Sequence, residues 1–119
     1  VSRALLLALL LSSGTTLAQQ ADDWLGPDKA LHFAASAGIA GAGTLGAALI
    51  SDAPAVKLAV GCTLAILAGA GKELLDLAGL GNPSWRDFAW DVVGTFTGAL
   101  TALLIDHLLL APLGRLPVW

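Results

Sequence analysis

Residues 33–50 read FAASAGIAGAGTLGAALI, eighteen positions without one charged side chain. As a helix rising about 1.5 Å per residue, such a run approaches the roughly 30 Å hydrocarbon core of a bilayer. Its composition is unusual for a helix in water. Gly38, Gly41, Gly43 and Gly46 are interleaved with Ser36 and Ala40, and each glycine weakens a solvated helix by up to about 1 kcal/mol relative to alanine. Small residues at this density instead make faces on which helices approach closely, as in membrane bundles. Two further uncharged stretches follow, residues 58–71 and the fourteen residues between Asp91 and Asp106. The second amounts to only about 21 Å of helix, so a compact soluble bundle stands as the alternative to a membrane-spanning one.

Composition narrows the class. Of 119 residues, 56% are hydrophobic and 13% are charged, against about 25% charged in an ordinary soluble domain. Mean hydropathy is +0.79, which excludes a disordered chain, since disorder needs low hydrophobicity and high charge. A net charge of −3, with six scattered Lys and Arg, argues against nucleic acid as a partner. The length suits one domain. Cys62 is the only cysteine, so neither an intrachain disulfide nor a cysteine zinc site is expected, and Cys62 reads as a small core residue.

Residues 1–18 have the form of a signal peptide: Arg3 ahead of an apolar core at 4–11, then Thr16-Leu17-Ala18 as a small-x-small cleavage pattern. Cleavage after Ala18 is expected, with an uncleaved N-terminal anchor as the other reading. Export places the chain in a bacterial envelope, in the inner membrane or as a soluble periplasmic protein. A polar linker, 19–26, leads to a three-helix membrane domain, 27–111, and a C-terminal tail, 112–119. Pro27 and Asp28 suit the first turn of a helix. Ser51-Asp52-Ala53-Pro54 breaks the chain, and a second helix is predicted over 55–80, with Lys57 snorkelling from its start. Gly79, Gly81, Asn82 and Pro83 make a turn. Ser84 then caps a third helix to about residue 110, with Asp87 three positions on. The predicted fold is all-α, a small bundle of three glycine-rich transmembrane helices.

If the helices alternate in direction, the start of the first, the end of the second and the start of the third share one face. Those places hold Asp28, Lys29 and His32; Lys72, Glu73 and Asp76; and Ser84, Arg86, Asp87 and Asp91. His32, Glu73 and Asp91 would each lie about 8–12 Å inside their helix, on a face turned to the periplasm. Asp28, His32 and Ser36 fall on one stripe, as do Asp87, Asp91, Gly94 and Gly98. One reading is a structural network in which Lys29, Lys72 and Arg86 pair with the carboxylates. Five carboxylates against three cations leave a surplus, however, and ionisable groups at membrane depth are usually functional. His32, Glu73, Asp87 and Asp91 could hold a divalent metal ion. Alternatively His32, Glu73 and Asp91 are candidate catalytic acid–base groups, with Lys72 and Arg86 receiving a phosphate. Trp24, Trp85 and Trp90 suit a membrane interface at this end. Asp106 and His107 belong to the opposite end, near Arg115, and read as solvated helix-end residues.

The stretches WLGPDKALHF, GAGKELLD and SWRDFAWDVVGTFTG resemble the YfiM-like family of small periplasmic lipoproteins. The shared motifs are D-K-x-x-H-F, K-E-x-x-D and S-W-x-D-F-x-W-D-x-x-G. They fall on Asp28, Lys29, His32, Phe33, Lys72, Glu73, Asp76, Ser84, Trp85, Asp87, Phe88, Trp90, Asp91 and Gly94. The lipoprotein cysteine has no counterpart here, so the resemblance implies an envelope location without a lipid anchor. A more remote resemblance, through Asp28, Lys29, His32, Glu73, Asp91 and Gly94, is to VanZ-like membrane proteins. Asp76 departs from that pattern, where a glutamine is expected. Neither resemblance implies an established reaction. Two functions are therefore carried forward. One is an envelope membrane protein whose polar cluster is structural or binds a partner. The other is a membrane-embedded hydrolase acting on a lipid-linked or cell-wall substrate. Membrane lipid is the expected partner in both, and the glycine faces would equally serve a homo-oligomer.

Overall fold

Each helix starts where local chemistry provides for it. The computed structural model describes residues 22–114, and among these the chain is helical with no strands. Helix α1 spans Pro27–Ala47 and α2 spans Pro54–Leu75, both with proline in the first turn, where a missing N–H leaves no helical hydrogen bond unmade. Helix α3 spans Trp85–Ile105 behind Ser84, whose hydroxyl accepts the Asp87 N–H at 3.2 Å. A wider π-helical turn continues α2 over Asp76–Leu80 and another continues α3 over Asp106–Leu110. Gly79, at φ 100°, ends the first of these in the left-handed region, where a Cβ would be strained. Helix α1 stops three residues before the uncharged run does, because the Leu49 and Ile50 N–H groups turn back to the Gly46 and Ala47 carbonyls.

The core is made of the smallest side chains. Ala40, Ala65 and Ala99, one from each helix, are fully buried and centre it. Helix α1 packs most extensively on α3 and next on α2. On α3, a Cβ built at Gly94 would lie 2.3 Å from the Phe33 carbonyl oxygen, and one at Gly98 would lie 2.1 Å from that of Ala37. The two backbones therefore meet directly. Gly43 and Gly61 bring α1 and α2 together in the same way. Gly38 and Gly46, by contrast, face open space, so only part of the α1 glycine pattern serves packing within this chain.

Large apolar side chains lie on the outside. Leu31, Leu67, Phe96, Leu100 and Leu104 are each half or more exposed. This inverts the arrangement of a water-soluble domain, which buries such groups for about 1.5–3 kcal/mol each, and it matches a bundle whose surroundings are apolar. Pro54–Leu80 and Trp85–Leu110 are long and apolar enough to cross a membrane, and most of each apolar window is unburied. At about 1.5 Å per residue these segments reach roughly 40 Å. Among the described residues, two of the three expected spans thus meet this measure of length and apolarity. Helix α1 opens with Asp28, Lys29 and His32 and is filled with glycine and alanine rather than leucine. The signal-peptide expectation for residues 1–18 lies outside the described residues, as does Arg115.

Candidate functional site

The two reversals of direction bring Asp28, Lys29, His32, Lys72, Glu73, Asp76, Ser84, Arg86, Asp87 and Asp91 to one end of the bundle. Lys29 is its hub. The side chain is almost completely buried, and its Nζ lies 2.5 Å from Asp22, 2.7 Å from Asp28 and 2.6 Å from Asp87. Burial opposes an ammonium charge, and here three carboxylate oxygens compensate it. Asp22 falls in the stretch read as linker and is the member that sequence reasoning missed. Its carboxylate accepts from the Ser84 hydroxyl at 2.8 Å, and its carbonyl accepts from Arg86. Hydrogen bonds from Lys29 and Ser84 hold the Asp22 carboxyl below its ordinary pKa. No periodicity marks such a residue, since its position depends on how the chain folds back ahead of α1.

Beneath Lys29 the network turns to His32. Its Nε2 lies 3.3 Å from Asp87 Oδ2 and its Nδ1 3.1 Å from Asp91 Oδ1. Asp91 Oδ1 also accepts from the Ser36 hydroxyl at 2.8 Å. Both imidazole nitrogens thus face carboxylates, and the Asp28–His32–Ser36 stripe of α1 meets the Asp87–Asp91 stripe of α3. Asp91 Oδ2 is buried and has no hydrogen-bond partner among the described residues. It lies over Gly69 of α2, where a Cβ would come within 2.8 Å of it.

The α2 residues form the third side. Lys72 reaches Asp76 at 2.8 Å, Glu73 at 3.3 Å and Asp87 at 3.6 Å. Glu73 accepts the Ser84 backbone N–H at 2.7 Å, tying the end of α2 to the start of α3. Glu73 is therefore engaged with Ser84 and Lys72, while the His32 ring lies between Asp87 and Asp91. A metal ion held jointly by His32, Glu73, Asp87 and Asp91 would have to displace those contacts. Among the described residues, Asp22, Asp28 and Asp87 are the one group whose candidate ligand atoms gather within 4.8 Å of one another, and Lys29 Nζ binds all three. The aromatic rim stands beside them. Trp24 packs edge-on against Trp85 at 4.7 Å, Arg86 lies over both rings, and Trp90 Nε1 donates to the Trp24 carbonyl at 2.7 Å.

At the other end, the expectation of snorkelling and solvated residues is corrected. Lys57 and Asp106 are both almost fully buried and form an ion pair at 2.6 Å between α2 and α3. Of these three residues, His107 alone is exposed. A cavity of about 440 Å³ adjoins the pair, lined also by Asp52, Leu103 and Leu104. A lysine three residues after Pro54 and an aspartate late in α3 are far apart in sequence, and single charges near helix ends ordinarily point to water. The antiparallel pairing of α2 and α3 turns them inward.

Comparisons with protein-family models, with curated proteins and with solved structures find no match to this chain.

Proposed function

We propose that this chain is a small membrane protein of the bacterial cell envelope, whose polar cluster lies at the periplasmic surface and acts as a structural clasp and partner-docking point. The observation that carries this reading is the inverted arrangement of side chains, with alanine and glycine inside and leucine, isoleucine and phenylalanine outside. The ion pairing supports the clasp. Lys29 and Lys72 each contact three carboxylates drawn from more than one element, so the cations hold helix ends together. The tryptophan rim at the same end fits a membrane–water boundary. The likeness to the YfiM-like motifs points to the same compartment.

The test is membrane placement and sidedness. With Cys62→Ala as background, Asn82→Cys places a thiol in the exposed turn beside the cluster. The expected outcome is a chain that stays in the membrane fraction after alkaline washing and whose introduced thiol reacts with a membrane-impermeant maleimide in intact cells. A chain released by the wash, or labelled only after lysis, refutes the reading.

One observation favours a second reading, a membrane-embedded acid–base hydrolase. Asp91 offers a buried carboxylate oxygen beside an imidazole that is itself held by Asp87, a constellation able to take a proton from water attacking a substrate. His32→Ala and Asp91→Ala separate the two. Variants that fold and melt normally but abolish an envelope phenotype favour the hydrolase, whereas variants that fail to fold favour the clasp.

A further inference from the structure

A cleft of about 250 Å³ opens between α1 and α2. Leu31, Ile39 and Ala68 form apolar walls, and Ser36, Gly69 and Asp91 line it as well. The Asp91 side chain is 5% exposed, and among the described residues Oδ2 lacks a hydrogen-bond partner while Oδ1 is bound by His32 and Ser36. Leaving a buried acceptor unpaired is costly, the more so for a charged group. Oδ2 packs against Gly69 of α2, where a Cβ would come within 2.8 Å of it. Lys72, with its side chain 43% exposed, lines the same cleft. The cleft thus combines a buried anionic acceptor, a more exposed cation and apolar walls whose Leu31 is largely exposed.

We propose that this cleft binds one lipid with a phosphoethanolamine head, its ammonium donating to Asp91 Oδ2, its phosphate facing Lys72 and its acyl chains lying along Leu31 and Ile39. The chemistry selects this class. A carboxylate oxygen needs an N–H or O–H donor, which a trimethylammonium head cannot supply. Lys72 complements an anionic group bonded close to that donor. The apolar walls favour a head that carries chains over free phosphoethanolamine. The proposal deepens the membrane reading above and rests on it.

The experiment uses the full chain in a neutral detergent and measures retention of phosphatidylethanolamine, phosphatidylglycerol and phosphatidylcholine by native mass spectrometry. Phosphatidylethanolamine is expected to be retained about tenfold better than phosphatidylcholine, the scale of one charge-assisted hydrogen bond. Asp91→Asn and Ala68→Leu, the second filling the cleft from an exposed position, are each expected to erase that preference. Lys72→Met is expected to weaken retention of the ethanolamine lipid, with circular dichroism of the same sample reading separately what its lost ion pairs cost the bundle. Equal retention of the three lipids, or a preference untouched by Ala68→Leu and Lys72→Met, overturns the proposal even if Asp91→Asn fails to fold. Fractionation of the same preparation reads membrane placement separately. A membrane-bound chain without lipid preference loses the cleft and keeps the membrane reading. A soluble chain loses the membrane reading, and titration with dihexanoyl phosphatidylethanolamine against glycerophosphoethanolamine then decides the site. Binding of the dihexanoyl lipid with loss in Ala68→Leu supports the cleft. Equal binding of both compounds, or of neither, refutes it.

Discussion

Replacing Lys57 by methionine removes the ammonium that lies against the buried Asp106 carboxylate. The two charges are 2.6 Å apart and each side chain is 4% exposed or less. At an effective dielectric of about 20 their attraction is about 6 kcal/mol, while moving two ions out of water costs several kcal/mol apiece. The pair therefore contributes little relative to a well-packed apolar couple of the same size. Removing one partner is a different matter, because the desolvation of the survivor is then less fully offset, and the expected loss rises toward about 3–5 kcal/mol. Lys57→Met and Asp106→Leu should each lower the melting temperature by more than about 10 °C. The double variant should lose clearly less than the sum of the two single losses. The assay is reversible thermal or denaturant unfolding in one detergent, followed by circular dichroism and arranged as a double-mutant cycle. Losses that add to within about 0.5 kcal/mol would show that the two residues do not sense one another, and the ion-pair argument would fall.

Three further outcomes follow from the packing and the cluster. Gly94→Ala and Gly98→Ala force a methyl group into the Phe33 and Ala37 carbonyls and should each cost about 1–3 kcal/mol. Gly38→Ala, which meets open space, should be neutral or stabilising by up to about 1 kcal/mol, and melting curves compare the three directly. Ser84→Ala removes the α3 cap and a hydrogen bond to Asp22, with an expected loss of about 1 kcal/mol. Asp22 is held below its ordinary pKa in the folded chain, so its tie to Lys29 is fully present above about pH 4 and is lost as pH falls through the lowered folded value. Tryptophan fluorescence should report this acid loosening through Trp24 and Trp85, and Asp22→Asn should reduce that pH dependence to the part carried by Asp28, which Lys29 also holds below its ordinary pKa.

Much of the fold was legible in the sequence because the helix ends carry their own chemistry. Pro27, Pro54, Ser84 and Gly79 punctuate the chain at the positions where helices start and stop. Antiparallel alternation then requires the start of α1, the end of α2 and the start of α3 to meet. Residues whose role depends on tertiary geometry were less accessible. Asp22 precedes any periodic segment and joins the cluster only because the chain folds back over Lys29 and Ser84. Lys57 and Asp106 look like terminal charges until α2 and α3 are laid side by side. The division of the α1 glycines also escapes a one-dimensional pattern, since Gly43 meets Gly61 while Gly38 and Gly46 face outward.

The alanine and glycine core has a consequence for how this chain can vary. A core of leucine and phenylalanine can be trimmed, enlarged or rearranged, with neighbouring side chains adopting new rotamers to compensate. Ala40, Ala65 and Ala99, with Gly94 and Gly98 against bare carbonyls, have no rotamers to exchange. Almost every substitution there adds volume, and relief can come only from moving a whole helix. Variation in the interior is therefore confined to one direction and felt along the entire bundle, while the outward leucines can interchange with other apolar residues at little cost.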